Sequence, residues 1–275
     1  MSLKSGRNKT IYAPFTFFQH HTHMTHWNDR LRASGIHLGA SAAVAAVAAL
    51  LVFGLWYPYP YREISGGRDL FALVVAVDVI IGPLITLAVF DRRKPRGELR
   101  RDLTVVAMLQ LAALGYGTWT VAAARPVHLV FEIDRFRVIH GVDVPEELLG
   151  REPPTVNALP WSGPTLVAAR PFRDAAENFE ATTAALGGVH IGARPDFWEP
   201  YDAAKPRVLQ AARPVSELKA RLSAHAPEID VALKSRGHNP DALAYLPVVG
   251  RKAFWTAVID PASADIIAYL PLDPY

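Results

Sequence analysis

Over residues 70–90 the chain reads LFALVVAVDVIIGPLITLAVF, with Asp78 as its one charged residue. The apolar positions do not mark one face at helical spacing; they cover every side. A helix of that length, rising about 1.5 Å per residue, crosses the roughly 30 Å hydrocarbon core of a bilayer. Residues 36–57 and 103–124 have the same character. The pattern predicts an α-helical membrane domain of three transmembrane helices, 36–57, 70–90 and 103–124.

From residue 125 the period changes. Val127, Leu129, Phe131 and Ile133 alternate with polar positions, as a half-buried strand requires, and the alternation resumes at Phe136 and Val138. Asp143 to Glu147, with Pro145, reads as the capped start of a short helix. A loop rich in Pro and Gly (Pro153, Pro154, Pro160, Gly163) then leads to a short strand over 165–169. Phe172, Ala176, Phe179 and Leu186 recur at near-helical intervals before Gly187 and Gly188 end the run. A second helix is expected from about residue 214 to 224, carrying Val215, Leu218 and Leu222. PDFWEPYD, between these helices, reads as a surface crossing. Two β-rich runs, 253–259 and 266–270, are joined by DPASAD as a hairpin. This order predicts a small α+β extracytoplasmic domain over 125–275, built on an antiparallel sheet.

Charge orients these elements. The chain carries a net +3 and a pI near 9.2, but the basic excess sits at helix ends. It is not interleaved with aromatics on one surface, so nucleic-acid binding is not expected. Five basic residues precede the first apolar run, two lie in WYPYPYREISGGRD, and six (Arg92, Arg93, Lys94, Arg96, Arg100, Arg101) follow the second run. That bias reads inside, outside, inside. The N-terminus is therefore expected in the cytoplasm and residues 125–275 in the periplasm. Trp56, Tyr57, Tyr59 and Tyr61 suit the headgroup level of the outside loop.

Residues 1–35 read as a basic, disordered cytoplasmic tail. Their cluster of His20, His21, His23 and His26 has no acidic partner that would complete a metal site. Met24 is an alternative to Met1 as the true start. The absence of cysteine removes disulfides and thiolate chemistry. Phosphate-binding, dinucleotide, nucleophile-elbow and zinc-protease motifs are missing as well. The histidines His128, His140, His190, His225 and His238 are scattered, and His128 reads as an exposed or structural residue. Asp230 and Asp241 read as ordinary loop or strand-end carboxylates. The expectation is a protein that is not an enzyme, with no cofactor, no metal and no small-molecule substrate.

The residues that ask for an explanation lie in the apolar runs. Ala, Gly or Ser fills positions 39–43, 45, 46, 48, 49 and 54, a surface on which a second helix can approach closely. Ala45 and Ala49 are candidate contacts on it. Asp78 sits near mid-bilayer, where an unpaired carboxylate costs about 2.5–3.5 kcal/mol. Pro83, beside Gly82, predicts a kink in the second helix. Tyr116, Thr118 and Thr120 of the third helix lie at the depth of Asp78 and could satisfy it. Three roles are open for Asp78: structural glue between spans, contact with a partner's helix, or an ion or proton path.

The ordered set WYPYPYREISGGRDLF, DVIIGPLITLAVF, DRRKPRGELRRDL, QLAALGYG and ARPVHLVFEIDRFRVI resembles the type IV pilin accessory protein family (TfpX/TfpZ type). The likeness covers about residues 31–140, and the terminal AYLPLDPY fits it too. The N-terminal extension and the middle of the last domain depart from it. The resemblance implies an inner-membrane protein of a Gram-negative host that helps a cognate type IV pilin through its stability, membrane pool or assembly. It implies no enzymatic activity and no catalytic residues. The partners expected are thus a pilin and the lipid bilayer. The competing class is a membrane-anchored periplasmic ligand-binding or sensor protein.

Overall fold

A computed structural model describes residues 20–275, with side chains from Trp27 onward. Residues 1–19, the side chains of the histidine cluster and the choice between Met1 and Met24 fall outside this description, whereas the end of the expected disordered tail, from residue 20 to 35, is the beginning of the first helix. Three helices, Trp27–Trp56, Gly67–Val89 and Arg96–Ala123, are long and apolar enough to cross a membrane. The first is α1 (His20–Leu51), which ends in a π-helical turn over Val52–Trp56. A short α2 (Tyr61–Ile64) follows. The second long helix is α3 (Gly67–Val75), a π-helical stretch Ala76–Ile81, and α4 (Gly82–Val89). The third is α5 (Arg96–Ala123).

Polar contacts fix the first helix on the second. The Ser34 hydroxyl donates to the Pro83 carbonyl at 2.8 Å, and His37 Nδ1 meets the Thr86 hydroxyl at 2.6 Å. At the same end Arg92 pairs with Asp29 at 3.3 Å and Arg30 with Asp91 at 3.4 Å. Hydrogen bonds from Arg93 hold the Asp91 carboxyl well below the usual range. Large apolar side chains such as Leu50, Leu73, Ile80 and Leu84 face outward.

The rest of the chain is a sheet with helices and loops on both faces. Its strands are β1 (Pro126–Glu132), β2 (Arg135–His140), β3 (Thr165–Ala169), β4 (Trp198–Pro200), β5 (Arg213–Pro214), β6 (Ala244–Val249), β7 (Phe254–Ile259) and β8 (Ile266–Leu270). The order is β4-β3-β1-β2-β6-β7-β8, with β5 beside β6. The helices are α6 (Ala175–Leu186), α7 (Tyr201–Ala211), α8 (Val215–Arg221) and α9 (Ala226–Lys234).

The sheet is mixed, where the sequence predicts an antiparallel one: β1 pairs parallel to β3 and β2 parallel to β6. Antiparallel neighbours joined by a short turn, such as β1–β2 and β7–β8, announce their pairing locally. Parallel neighbours need a connection of a dozen or more residues, and nothing in its pattern names the partner strand. Nor is β1 half-buried, because all seven of its residues are buried. One face packs Leu129 and Phe131 against Phe136, Tyr201 and Val208. The other packs Val127 and Val130 under Val144, Val156 and Trp198.

Other expectations shift in detail. The short helix near Asp143 is two 3-10 turns, Gly141–Asp143 and Glu146–Leu148. Helix α7 begins inside PDFWEPYD, expected as a surface crossing, and contains Pro206. Asp230 lies on α9, itself unpredicted, and Asp241 in a 3-10 turn. Phe179 and Leu186, the expected buried stripe of α6, are exposed.

The largest surprise is the loop after the first helix. Trp56, Tyr57 and Tyr61 are buried within the protein, and Tyr59 alone of these four aromatics is exposed. Ile64 is fully buried in the core of the sheet domain. The Tyr57 hydroxyl donates to the Ala124 carbonyl at 2.7 Å, the Tyr61 and Tyr269 hydroxyls meet at 3.2 Å, and Lys252 N–H donates to the Ile64 carbonyl at 3.0 Å. An ion pair between Lys252 and Asp69 adds a further tie. Helices and sheet domain are joined through this loop as well as through the direct passage from α5 into β1.

Candidate functional site

The second long helix widens where Pro83 removes a main-chain donor. In the π-helical stretch Gly82 N–H donates to the Val77 carbonyl, five residues back. The same spacing assigns the next carbonyl, that of Asp78, to residue 83, which has no N–H to give. Gln110 of α5 fills the gap: its Nε2 donates to the Asp78 carbonyl at 3.2 Å. Gly82 makes the approach feasible, since a Cβ there would lie 1.8 Å from Gln110 Nε2. The kink predicted at Pro83 is thus a π-helical widening, stitched to the third helix.

The Asp78 side chain is a separate matter. It is 9% exposed, and neither carboxylate oxygen has a hydrogen-bond partner among the described residues. The hydroxyls expected to serve it do not. Thr120 donates to the Tyr116 carbonyl at 2.9 Å, and Tyr116 is exposed, 6.0 Å from the Trp119 ring.

Asp78 opens on a cleft between the first and third helices. Both pack on the second helix, and they come together near Val52–Trp56, where Val52, Trp56, Tyr57 and Val121 form a buried cluster. Away from that closed end they leave a space of about 250 Å³, lined by Ala40, Ala45 and Ala48 on one side and Ala107, Gln110 and Leu114 on the other. It continues past Val47 and Leu51 toward Thr118 as a further space of about 390 Å³. Its walls are apolar apart from His37, Ser41, Asp78, Gln110 and Thr118.

Of the residues that the sequence nominates for partner contact, Ala45 and Asp78 meet in this cleft, whereas Pro83 is not part of its lining. Ala49 is half-buried and outside the lining. Tyr116 lines a smaller space of about 230 Å³ with Leu70, Val77 and Gly117, which also reaches Asp78. Ala48 belongs to the small-residue surface read from the sequence, but the pattern of the chain does not nominate Gln110 or Ala107. A lone amide in an apolar helix is the signal that exists for Gln110.

The sheet domain has a polar cleft of about 460 Å³ near Arg137, Asp143, His190 and Arg251. Its charges are already paired: Arg137 with buried Glu132 at 2.9 Å, and Arg251 with Asp143. Burial raises the Asp143 carboxyl, but hydrogen bonds from His140 and Arg251 outweigh it and hold the group at about 2. His128 is a structural residue, fully buried against Trp198, with Nδ1 2.7 Å from the Thr165 hydroxyl and Nε2 3.0 Å from the Ala158 carbonyl. No cluster of potential metal ligands occurs among the described residues.

Comparison with known proteins places these features among fimbrial proteins. Residues 25–66 match the family described as Fimbrial assembly protein FimB. The chain is 33% identical over 231 residues to the "Fimbrial assembly protein, serogroup I" of Dichelobacter nodosus, covering 83% of this chain and 90% of that one. The serogroup E1 protein of that organism is 32% identical over the same shares. A shorter one, of serogroups C1 and C2, is 40% identical over 113 residues, 41% of this chain and 86% of its own. No solved structure matches.

Proposed function

The chain belongs to the fimbrial assembly protein family, and from that premise we propose that it is a non-enzymatic accessory protein, a chaperone for a cognate type IV pilin held in the inner membrane before assembly. A role in fimbrial assembly follows from the family; the client and the step are the proposal. In this reading the three long helices are multi-pass transmembrane spans, the N-terminus and the basic loop over 91–102 are cytoplasmic, and the sheet domain stands in the periplasm. The six basic residues of that loop support the orientation.

The observation that carries the reading is the joint between the two halves. Ile64 in the sheet-domain core and the Tyr61–Tyr269 hydrogen bond hold the domain directly over the helices. A membrane subunit with an apolar helix below and a globular head above would meet both parts at once. The ligand-binding or sensor alternative has less support, because the charges of the polar cleft already satisfy one another.

Deleting the gene and measuring membrane pilin and surface fimbriae tests the proposal. Loss of surface fimbriae with an altered membrane pilin pool supports it. Normal fimbriation with an unchanged pool contradicts it.

A further inference from the structure

We infer that the cleft between the first and third helices seats one transmembrane helix of the client subunit, and that this helix presents a hydrogen-bond donor to the free Asp78 carboxylate. The inference rests on the proposed function and adds the occupant and its chemistry.

The shape comes first. The cleft has two helical walls and closes at Val52–Trp56, so an occupant enters from the side. From His37 to Val52 it follows fifteen helical steps, about 22 Å at 1.5 Å per step. That is most of a membrane span. The near wall is lined by Ala40, Ser41, Ala45 and Ala48, whose small side chains let another backbone come close.

Lipid acyl chains could fill the apolar volume, but they have no donor to offer. A buried carboxylate without a partner is costly in hydrocarbon, so it normally faces a partner or a wet cavity. Among the described residues no group of the chain serves it: Gln110 donates to the Asp78 main chain, Thr120 to the Tyr116 carbonyl, His37 is bonded to Thr86, and Ser41 and Thr118, which also line the cleft, make no hydrogen bond to the carboxylate. An incoming helix with a hydroxyl, amide or amine at the level of Asp78 completes the site.

The test places a photocrosslinker at Ala45 of the full-length protein in cells making an epitope-tagged cognate pilin. Ile80, 58% exposed and outside the cleft lining, is the control position. Ala45 is expected to capture the tagged pilin and Ile80 not to. Asp78→Leu is expected to lower capture about three- to fifteenfold, the range of one interhelical hydrogen bond in a membrane, while Asp78→Asn retains most of it. Equal membrane abundance and melting temperature of the variants separate this loss from misfolding. Capture of lipid alone, or of a second copy of this chain, overturns the seat while loss of fimbriae on deletion still stands. Undiminished capture with Asp78→Leu overturns the donor.

Discussion

Gln110 of the third long helix donates its side-chain amide to the main-chain carbonyl of Asp78 on the second, at 3.2 Å. The bond replaces a donor that Pro83 cannot supply, so two helices share one main-chain repair. Gln110→Leu leaves that carbonyl unpaired and is expected to cost about 1 kcal/mol. Gly82→Ala displaces the same amide and should cost a similar amount. Combined with Gln110→Ala, however, Gly82→Ala loses most of its effect, because the clash has gone. Melting temperatures of the detergent-solubilised variants measure the cycle; additive losses would contradict the shared contact.

Ile64 lies between the first two long helices in sequence, yet it is fully buried in the sheet-domain core. A Cβ at Gly250 would come within 2.0 Å of its Cγ2, so the pocket around it has no spare volume. Ile64→Ala is expected to destabilise the chain by about 2–5 kcal/mol. Thermal unfolding, with protease sensitivity of the sheet domain as a second readout, checks this. A headgroup-level residue would show neither change.

His128 gives the sheet domain a pH dependence. Burial pushes its imidazole from 6.5 down to about 4, and burial lowers His140 in the same direction. Between those values the unfolded chain binds a proton that the folded chain refuses, so stability rises with pH. The His128 contribution is fully present above about pH 6.5 and is lost as pH falls toward 4, amounting to about 3 kcal/mol. Unfolding measured from pH 7 to 4 should show this slope, and His128→Gln should flatten it. An unchanged slope in the variant would assign the dependence to other groups.

The proposed orientation predicts where reporters work. A phosphatase that is active only after export should be active when fused after Tyr275 and inactive when inserted in the basic loop over 91–95. The opposite pattern would place the sheet domain in the cytoplasm, away from any subunit head.

Much of this architecture is legible in the chain because membrane helices and hairpins encode themselves locally. Apolar residues on all sides mark the three long helices, and alternation separated by a short turn marks β1–β2 and β7–β8. What escapes is set by distant partners. Aromatics in WYPYPYREISGGRD suit a headgroup layer and a protein core equally well, so sequence alone does not show that Trp56, Tyr57 and Tyr61 are buried. Asp78 and Pro83 stand out as irregularities, but their link runs through the five-residue spacing of a π turn and an amide on another helix. Phe179 and Leu186 mislead in the other direction, because helical spacing does not say whether another element covers that face.

The account depends most on a physical encounter between this chain and an unassembled pilin in the membrane. Affinity isolation of the full-length protein from detergent-extracted membranes, in cells where the cognate pilin is made but assembly is blocked, tests that encounter directly. Recovery of the pilin with the tagged chain, and not with an unrelated three-span protein of equal abundance, is the predicted result. A pilin plentiful in the same membranes yet absent from the isolate would contradict it.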